Sequence, residues 1–190
     1  MMEYPNFHQK ALRIDFDRNS MKAANLTSNS QPYLTITNPG KTGFRTEIRE
    51  ALSQRLLVTV QHRELLWDII TFADHHGGKA IRLSKWMKEG TLPDNYPATY
   101  IDTGVGYYFW KPDVNRRFVL YAAQDLAYTS PLAYMIHTGP TPSLVLERGT
   151  ESIRDQVIAS FIMVEQAMRM TEKASKVGEG MAYAEANVFA

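Results

Sequence analysis

Gly104-Val-Gly-Tyr-Tyr-Phe-Trp-Lys-Pro-Asp113, continued by Asn115-Arg-Arg-Phe-Val-Leu-Tyr121, is the stretch whose reading decides the fold. Aromatic and β-branched residues flank a turn at Lys111-Pro-Asp-Val-Asn115, which is the pattern of a β-hairpin. Side chains alternate along a strand, so Tyr107 and Phe109 belong to one face and Tyr108 and Trp110 to the other. Both faces therefore carry large aromatic surface. One packs on a core, and the other needs a cover: a helix of the same chain, a partner protein or nucleic-acid bases.

Working outward, candidate strands lie at 98–103, 106–111, 116–123, 132–137 and 143–147, an antiparallel meander of about five strands. Two more precede it, at 11–16 and 32–37, separated by the polar stretch 25–31, which reads as loop. Between 46 and 89 the period changes. Ile48, Leu52 and Leu56 recur every four residues after Thr46, a helical spacing with an N-cap. Leu57–Val60 fits either structure. A second helix, 62–76, groups Leu65, Leu66, Ile69, Ile70 and Phe72 and stops at Gly77-Gly78. A third, 79–89, sets Leu83, Trp86 and Met87 against Arg82, Lys85 and Lys88. A long helix from Thr150 carries Ile153, Val157, Phe161, Val164 and Met168 in a narrow stripe until Gly178 and Gly180. The predicted fold is α+β: N-terminal helices, then the meander, with the C-terminal helix packed on the sheet. Residues 1–180 form one domain and 181–190 a tail bearing Tyr183, Val188 and Phe189.

The bulk composition excludes several classes. With 190 residues, 44% hydrophobic and 22% charged, the chain is long enough to bury a continuous core. A net charge of +1 provides no global attraction for nucleic acid or anionic membrane. The absence of cysteine excludes disulfides, thiolate nucleophiles and cysteine metal sites. No apolar run reaches the ~20 residues of a membrane span, and the opening Met1-Met-Glu-Tyr-Pro-Asn-Phe-His8 has no leader pattern. These features read as a cytoplasmic protein.

No catalytic signature emerges. Gly40-Lys41-Thr42 imitates the end of a phosphate loop, but Thr35 stands where a small residue is needed and Pro39 lacks a donor, so it reads as a turn. His75 and His76 point about 100° apart on a helix and cannot share one ion, and His8, His62 and His137 add no ligand pattern. Arg55 and His62 have the spacing of certain helical ribonucleases, yet Leu56 replaces a polar residue and the strand-rich half is wrong for that bundle. Ser130, Ser143 and Ser160 lie outside any nucleophile-elbow motif, and His137-Thr138-Gly139-Pro140 reads as a turn. No cofactor, metal or catalytic residue is assigned.

Helices 62–76 and 79–89, followed by strands 98–103 and 106–111, resemble a winged helix-turn-helix in the order of their elements. That resemblance implies nucleic-acid contact by Arg82, Lys85 and Lys88, with Lys111, Arg116 and Arg117 on or near the wing. The favoured reading is different: a non-enzymatic interaction protein that docks on a larger macromolecular assembly. Tyr108 and Trp110 of the hairpin and Tyr183 and Phe189 of the tail would meet a protein partner or a second copy. The 10 Tyr, 3 Trp and 9 Met suit interfaces. A third reading places a small ligand between sheet and C-terminal helix, near Tyr107 and Phe161.

Overall fold

The computed structural model describes residues 11–39, 44–63, 65–137 and 139–188, with side chains to residue 175. Thirteen strands form a single sheet: β1 (Leu12–Phe16), β2 (Ala24–Ser28), β3 (Gln31–Thr37), β4 (Arg45–Glu50), β5 (Leu56–Gln61), β6 (Ile69–Phe72), β7 (Ile81–Arg82), β8 (Met87–Thr91), β9 (Pro97–Asp102), β10 (Tyr107–Asp113), β11 (Arg117–Ala122), β12 (Ala133–Ile136) and β13 (Ser143–Leu146). Every pairing is antiparallel. The strand order is β7-β6-β5-β4-β3-β2-β1-β13-β12-β11-β10-β9-β8. A four-residue helix, α1 (Leu83–Trp86), joins β7 to β8, and a long helix, α2 (Arg154–Val188), follows β13.

The two edges of this sheet, β7 and β8, are separated in sequence only by α1. Edges that close in sequence must meet in space, so the sheet is rolled into a barrel. Its content is α2. Residues 155–165 are buried without interruption, which a helix lying on a sheet cannot achieve, because one of its faces would meet water. Phe161 packs on Phe16 of β1 and on Trp110 of β10. Ala159, Ile162 and Met163 adjoin Thr46, Ile48 and Val60 of β4 and β5. Gln156 reaches Trp86 of α1. Eight strands leave room only for side chains, whereas thirteen can surround a helix.

The inward faces follow from alternation: Ile14 and Phe16, Leu34 and Ile36, Val58 and Val60, Ile70 and Phe72, Leu120 with Phe118, Ala133 and Met135, Leu144 and Leu146 are all buried. The hairpin behaves likewise. Trp110 is 1% exposed inside the barrel, whereas Phe109, also enclosed, is covered on the outer side by Tyr100, Tyr121 and Tyr128.

Several expectations are corrected. The N-terminal helices do not exist: 46–56 is β4, a turn and β5, 62–76 is a loop and β6, and 79–89 is β7, α1 and β8. The sheet has thirteen strands rather than about five, and the helix fills it instead of packing on one face. A repeat of four is a multiple of two, so Ile48 and Leu56 fit strands once a turn intervenes. Gln54 in a left-handed conformation (φ 59°) makes that turn, and Leu52 is 83% exposed on it. The stretch 25–31 supplies most of β2, and the segment 181–188 is the last part of α2, which passes Gly178 and Gly180. With no α-helix in 62–76 and only the four-residue α1 within 79–89, the winged helix-turn-helix order disappears. Residues 40–43, His8 and Thr138 lie outside the described residues.

Candidate functional site

Twelve successive antiparallel pairings leave β7 and β8 running in the same direction at opposite edges of the sheet. β7 pairs with the start of β6, Ile69 opposite Arg82 and Ile70 opposite Ile81. The chain then crosses α1 and continues as β8, paired among the described residues only with β9. Beyond α1 the wall opposite β8 is therefore not a strand but the loop leading into β6, Leu65-Leu66-Trp67-Asp68. The Leu83 amide donates to the Asp68 carbonyl at 2.8 Å and fixes that loop beside α1.

The result is an opening of about 900 Å³ in the barrel wall. Its sides are Leu66, Trp67, Leu83 and Met87, and its floor is Phe118, Val164 and Met168. Leu65, Leu66 and Trp67 are 95%, 65% and 62% exposed, three adjacent apolar side chains turned to solvent. Met170 is exposed where α2 leaves the barrel. An apolar patch of this kind with a charged rim marks a binding surface.

The rim is basic. The Arg82 guanidinium lies 5.1 Å from the centroid of the Trp67 ring. Lys85 and Lys88 are exposed next to it and, like Arg82, make no ion pair among the described residues. Of the nearby acids, Asp68 is engaged by His62 Nδ1 at 2.8 Å and by the Arg63 amide at 2.9 Å.

The other cations proposed for nucleic acid are not part of this rim. Lys111 Nζ binds Asp94 at 2.8 Å and sits 3.6 Å from the centroid of the Tyr128 ring. Burial works against its charge, but the Asp94 carboxylate prevails and the lysine pKa is raised above its ordinary value. Arg116 covers the Tyr134 ring at 4.3 Å. Arg117, in a left-handed conformation (φ 62°), turns inward to Glu165 (2.6 Å) and Glu172 (2.9 Å) on α2. Arg82, Lys85 and Lys88 are thus brought together, and Lys111, Arg116 and Arg117 have separate internal partners.

The residues expected to meet a partner divide as well. Trp110 is inside the barrel and donates to Ser160 Oγ, so it presents no surface. Tyr108 is half-buried on the same inward face and packs against the core. Tyr183 lies on the final turns of α2 with its side chain outside the described residues, as is Phe189 entirely. The exposed apolar residues at the opening were not singled out from sequence as a surface. The available signal was three consecutive apolar residues, Leu65-Leu66-Trp67, where an alternating strand or an amphipathic helix would turn at least one of them inward.

A second opening, of about 510 Å³, lies at the start of α2 and is lined by Arg13, Tyr33, Arg148, Glu147, Glu151 and Arg154. Its charges are balanced locally: Arg13 pairs with Asp15 at 2.7 Å and Arg154 with Asp155 at 3.0 Å. Among the described residues no three histidines or carboxylates converge as a metal site, and no helix is long and apolar enough to cross a membrane.

A family model matches residues 19–170, from the connection after β1 to the point where α2 leaves the barrel. The chain belongs to DUF6593, a family of unknown function. Every residue named at the wall opening of this DUF6593 protein lies within the matched span. No curated protein and no solved structure matches the chain.

Proposed function

We propose that this DUF6593 protein is a non-enzymatic docking module that joins a larger macromolecular assembly through the opening in its barrel wall. The observation that carries the reading is the exposure of Leu65, Leu66 and Trp67 beside a groove floored by α2. A few well-buried residues, tryptophan prominent among them, carry most of the binding energy of a typical interface.

The test is size-exclusion chromatography with light scattering on protein purified from its own host, with and without nuclease. The native chain should elute in a complex heavier than its own 21.6 kDa. That complex should survive nuclease and about 0.5 M salt, which would dissolve phosphate contacts. Trp67→Ala should release the free chain, and deletion of residues 181–190 tests the tail separately. A complex lost on nuclease treatment assigns Arg82, Lys85 and Lys88 to nucleic acid instead. A complex indifferent to Trp67→Ala overturns the reading.

The size of the opening also favours a second reading, a small apolar ligand on the floor formed by Phe118, Val164 and Met168, since ligand cavities span roughly 300–1,000 Å³. Extraction of the purified chain with organic solvent, followed by mass spectrometry, reads that outcome directly.

A further inference from the structure

We propose that the opening is a strand-accepting slot: an extended, acidic segment of a partner protein adds to the free edge of β8 and completes the barrel wall. The inference rests on the docking reading and specifies its chemistry. β8 is five residues long, Met87–Thr91, and among the described residues its only strand neighbour is β9. In an antiparallel edge strand every second residue points its N–H and C=O away from the neighbour, where they are free to pair with another chain. The other edge of the sheet, β7, has only two residues and is followed at once by α1. The unmatched edge therefore runs on beyond α1, and the space beside it is the opening itself.

A strand placed there would meet three different surfaces. Along one side it would pair with the β8 backbone. Beneath it lie Phe118, Val164 and Met168, which suit alternate apolar side chains. Across from β8 stand Leu66 and Trp67, exposed and already held in place by the Leu83 to Asp68 backbone bond. A groove with a backbone edge on one flank and aromatic surface on the other fits an extended peptide better than a helix, which cannot use the edge.

Charge selects the occupant. Lys88 lines the slot together with Glu89 and Asp68, the last of which is taken by His62, while Arg82 over the Trp67 ring and Lys85 on α1 flank it from the adjoining pocket. The three cations, which make no ion pair among the described residues, outnumber Glu89, so outward-facing Asp or Glu on the incoming strand would gain ion pairs. A second copy of this chain is disfavoured for the same reason. Edge-to-edge pairing of two β8 strands would bring two Lys88 side chains to one ribbon, and lysine on an edge strand opposes self-association.

The test uses the full chain and three synthetic peptides: a seven-residue acetylated peptide alternating valine with glutamate, its lysine counterpart, and the glutamate peptide N-methylated at alternate backbone nitrogens. The glutamate peptide should bind, slow the hydrogen exchange of amides within 87–91, and bind roughly tenfold tighter than the lysine peptide. The double variant Lys85→Glu with Lys88→Glu should reverse that preference. The N-methylated peptide, which lacks the donors, should not bind. Binding without protection of 87–91, equal binding of the N-methylated peptide, or a concentration-dependent dimer of the chain alone each overturns strand addition. If the peptides fail while Trp67→Ala still dissolves the native complex, strand addition fails and the docking reading stands. If Trp67→Ala is also without effect, both fail.

Discussion

Trp110 Nε1 donates a 2.9 Å hydrogen bond to Ser160 Oγ, tying the middle of β10 to the second turn of α2 where both residues are enclosed. The Ser160 hydroxyl in turn donates to the Val157 carbonyl at 2.9 Å, so it is satisfied on both sides. Ser160→Ala removes little volume but leaves a buried indole N–H without an acceptor, which costs about 1–3 kcal/mol. In the Ser160→Ala background, Trp110→Phe should cost less than it does in the native chain, because the orphaned donor is removed with it. Urea denaturation of the four proteins measures the coupling. Additive losses would show that the bond contributes nothing.

Glu165 is 0% exposed and is held between Arg117 (2.6 Å) and Arg169 (2.6 Å), one from the first position of β11 and one from the next turn of α2. Arg169 also reaches the Asn19 carbonyl at 3.0 Å, so the cluster fastens three elements where α2 leaves the barrel. Glu165→Ala removes the buried carboxylate that both guanidinium groups share, although Arg117 keeps Glu172 and Arg169 keeps Asn19, and should destabilise the fold by about 1–3 kcal/mol. Glu165→Gln keeps the shape and should cost less. A thermal melt of both variants checks the order, and equal losses would mean that packing, not charge, matters at this position.

Two tryptophans near the wall opening should respond oppositely to truncation. Trp86 is 2% exposed, packs on Phe72 and donates to Gln156 Oε1 at 3.3 Å, with His76 Nε2 3.3 Å from the same oxygen. Trp86→Ala should cost about 3–5 kcal/mol. Trp67 is 62% exposed, and Trp67→Ala should leave stability within about 0.5 kcal/mol. Acrylamide should quench only Trp67 efficiently in the free chain. A large stability loss from Trp67→Ala would make it a structural residue and remove its value as a probe of docking.

What the sequence made legible was whatever alternates within one element. The faces of the hairpin, with Trp110 opposite Phe109, and the strands around β9–β13 follow from period two alone. What it concealed was closure. The stripe Ile153, Val157, Phe161, Val164, Met168 implies a helix with one buried face, yet Ile158, Ala159, Ile162 and Met163 make the other faces apolar as well. That all-round pattern is the mark of an enclosed helix. The first of the spurious N-terminal helices came from the even spacing of Ile48, Leu52 and Leu56, which a strand, a turn and a strand reproduce. The wall opening was hidden for a different reason: β7 and β8 become opposite edges only through pairings distant in sequence, so the neighbours of Trp67 and Lys88 cannot be read from nearby residues.

Glu50, at the end of β4, provides a pH-dependent contribution whose direction follows from its partners. Its carboxylate accepts from Arg55 at 2.7 and 3.2 Å and from Ser53 Oγ at 2.5 Å. The Arg55 hydrogen bond, with that of Ser53, holds the pKa at about 2, below the ordinary 4.5. A folded pKa below the unfolded one means that the ionised form favours folding. Its contribution is complete above about pH 4.5 and is lost as pH falls from there towards about 2. Glu50→Gln abolishes the titration. The difference in urea midpoint between native chain and variant should therefore be constant near neutral pH and shrink across that acid window. The pair is open to solvent, so the difference should also narrow at about 1 M salt. A difference that stays flat down to about pH 3 would show that Arg55 does not hold the carboxylate in solution.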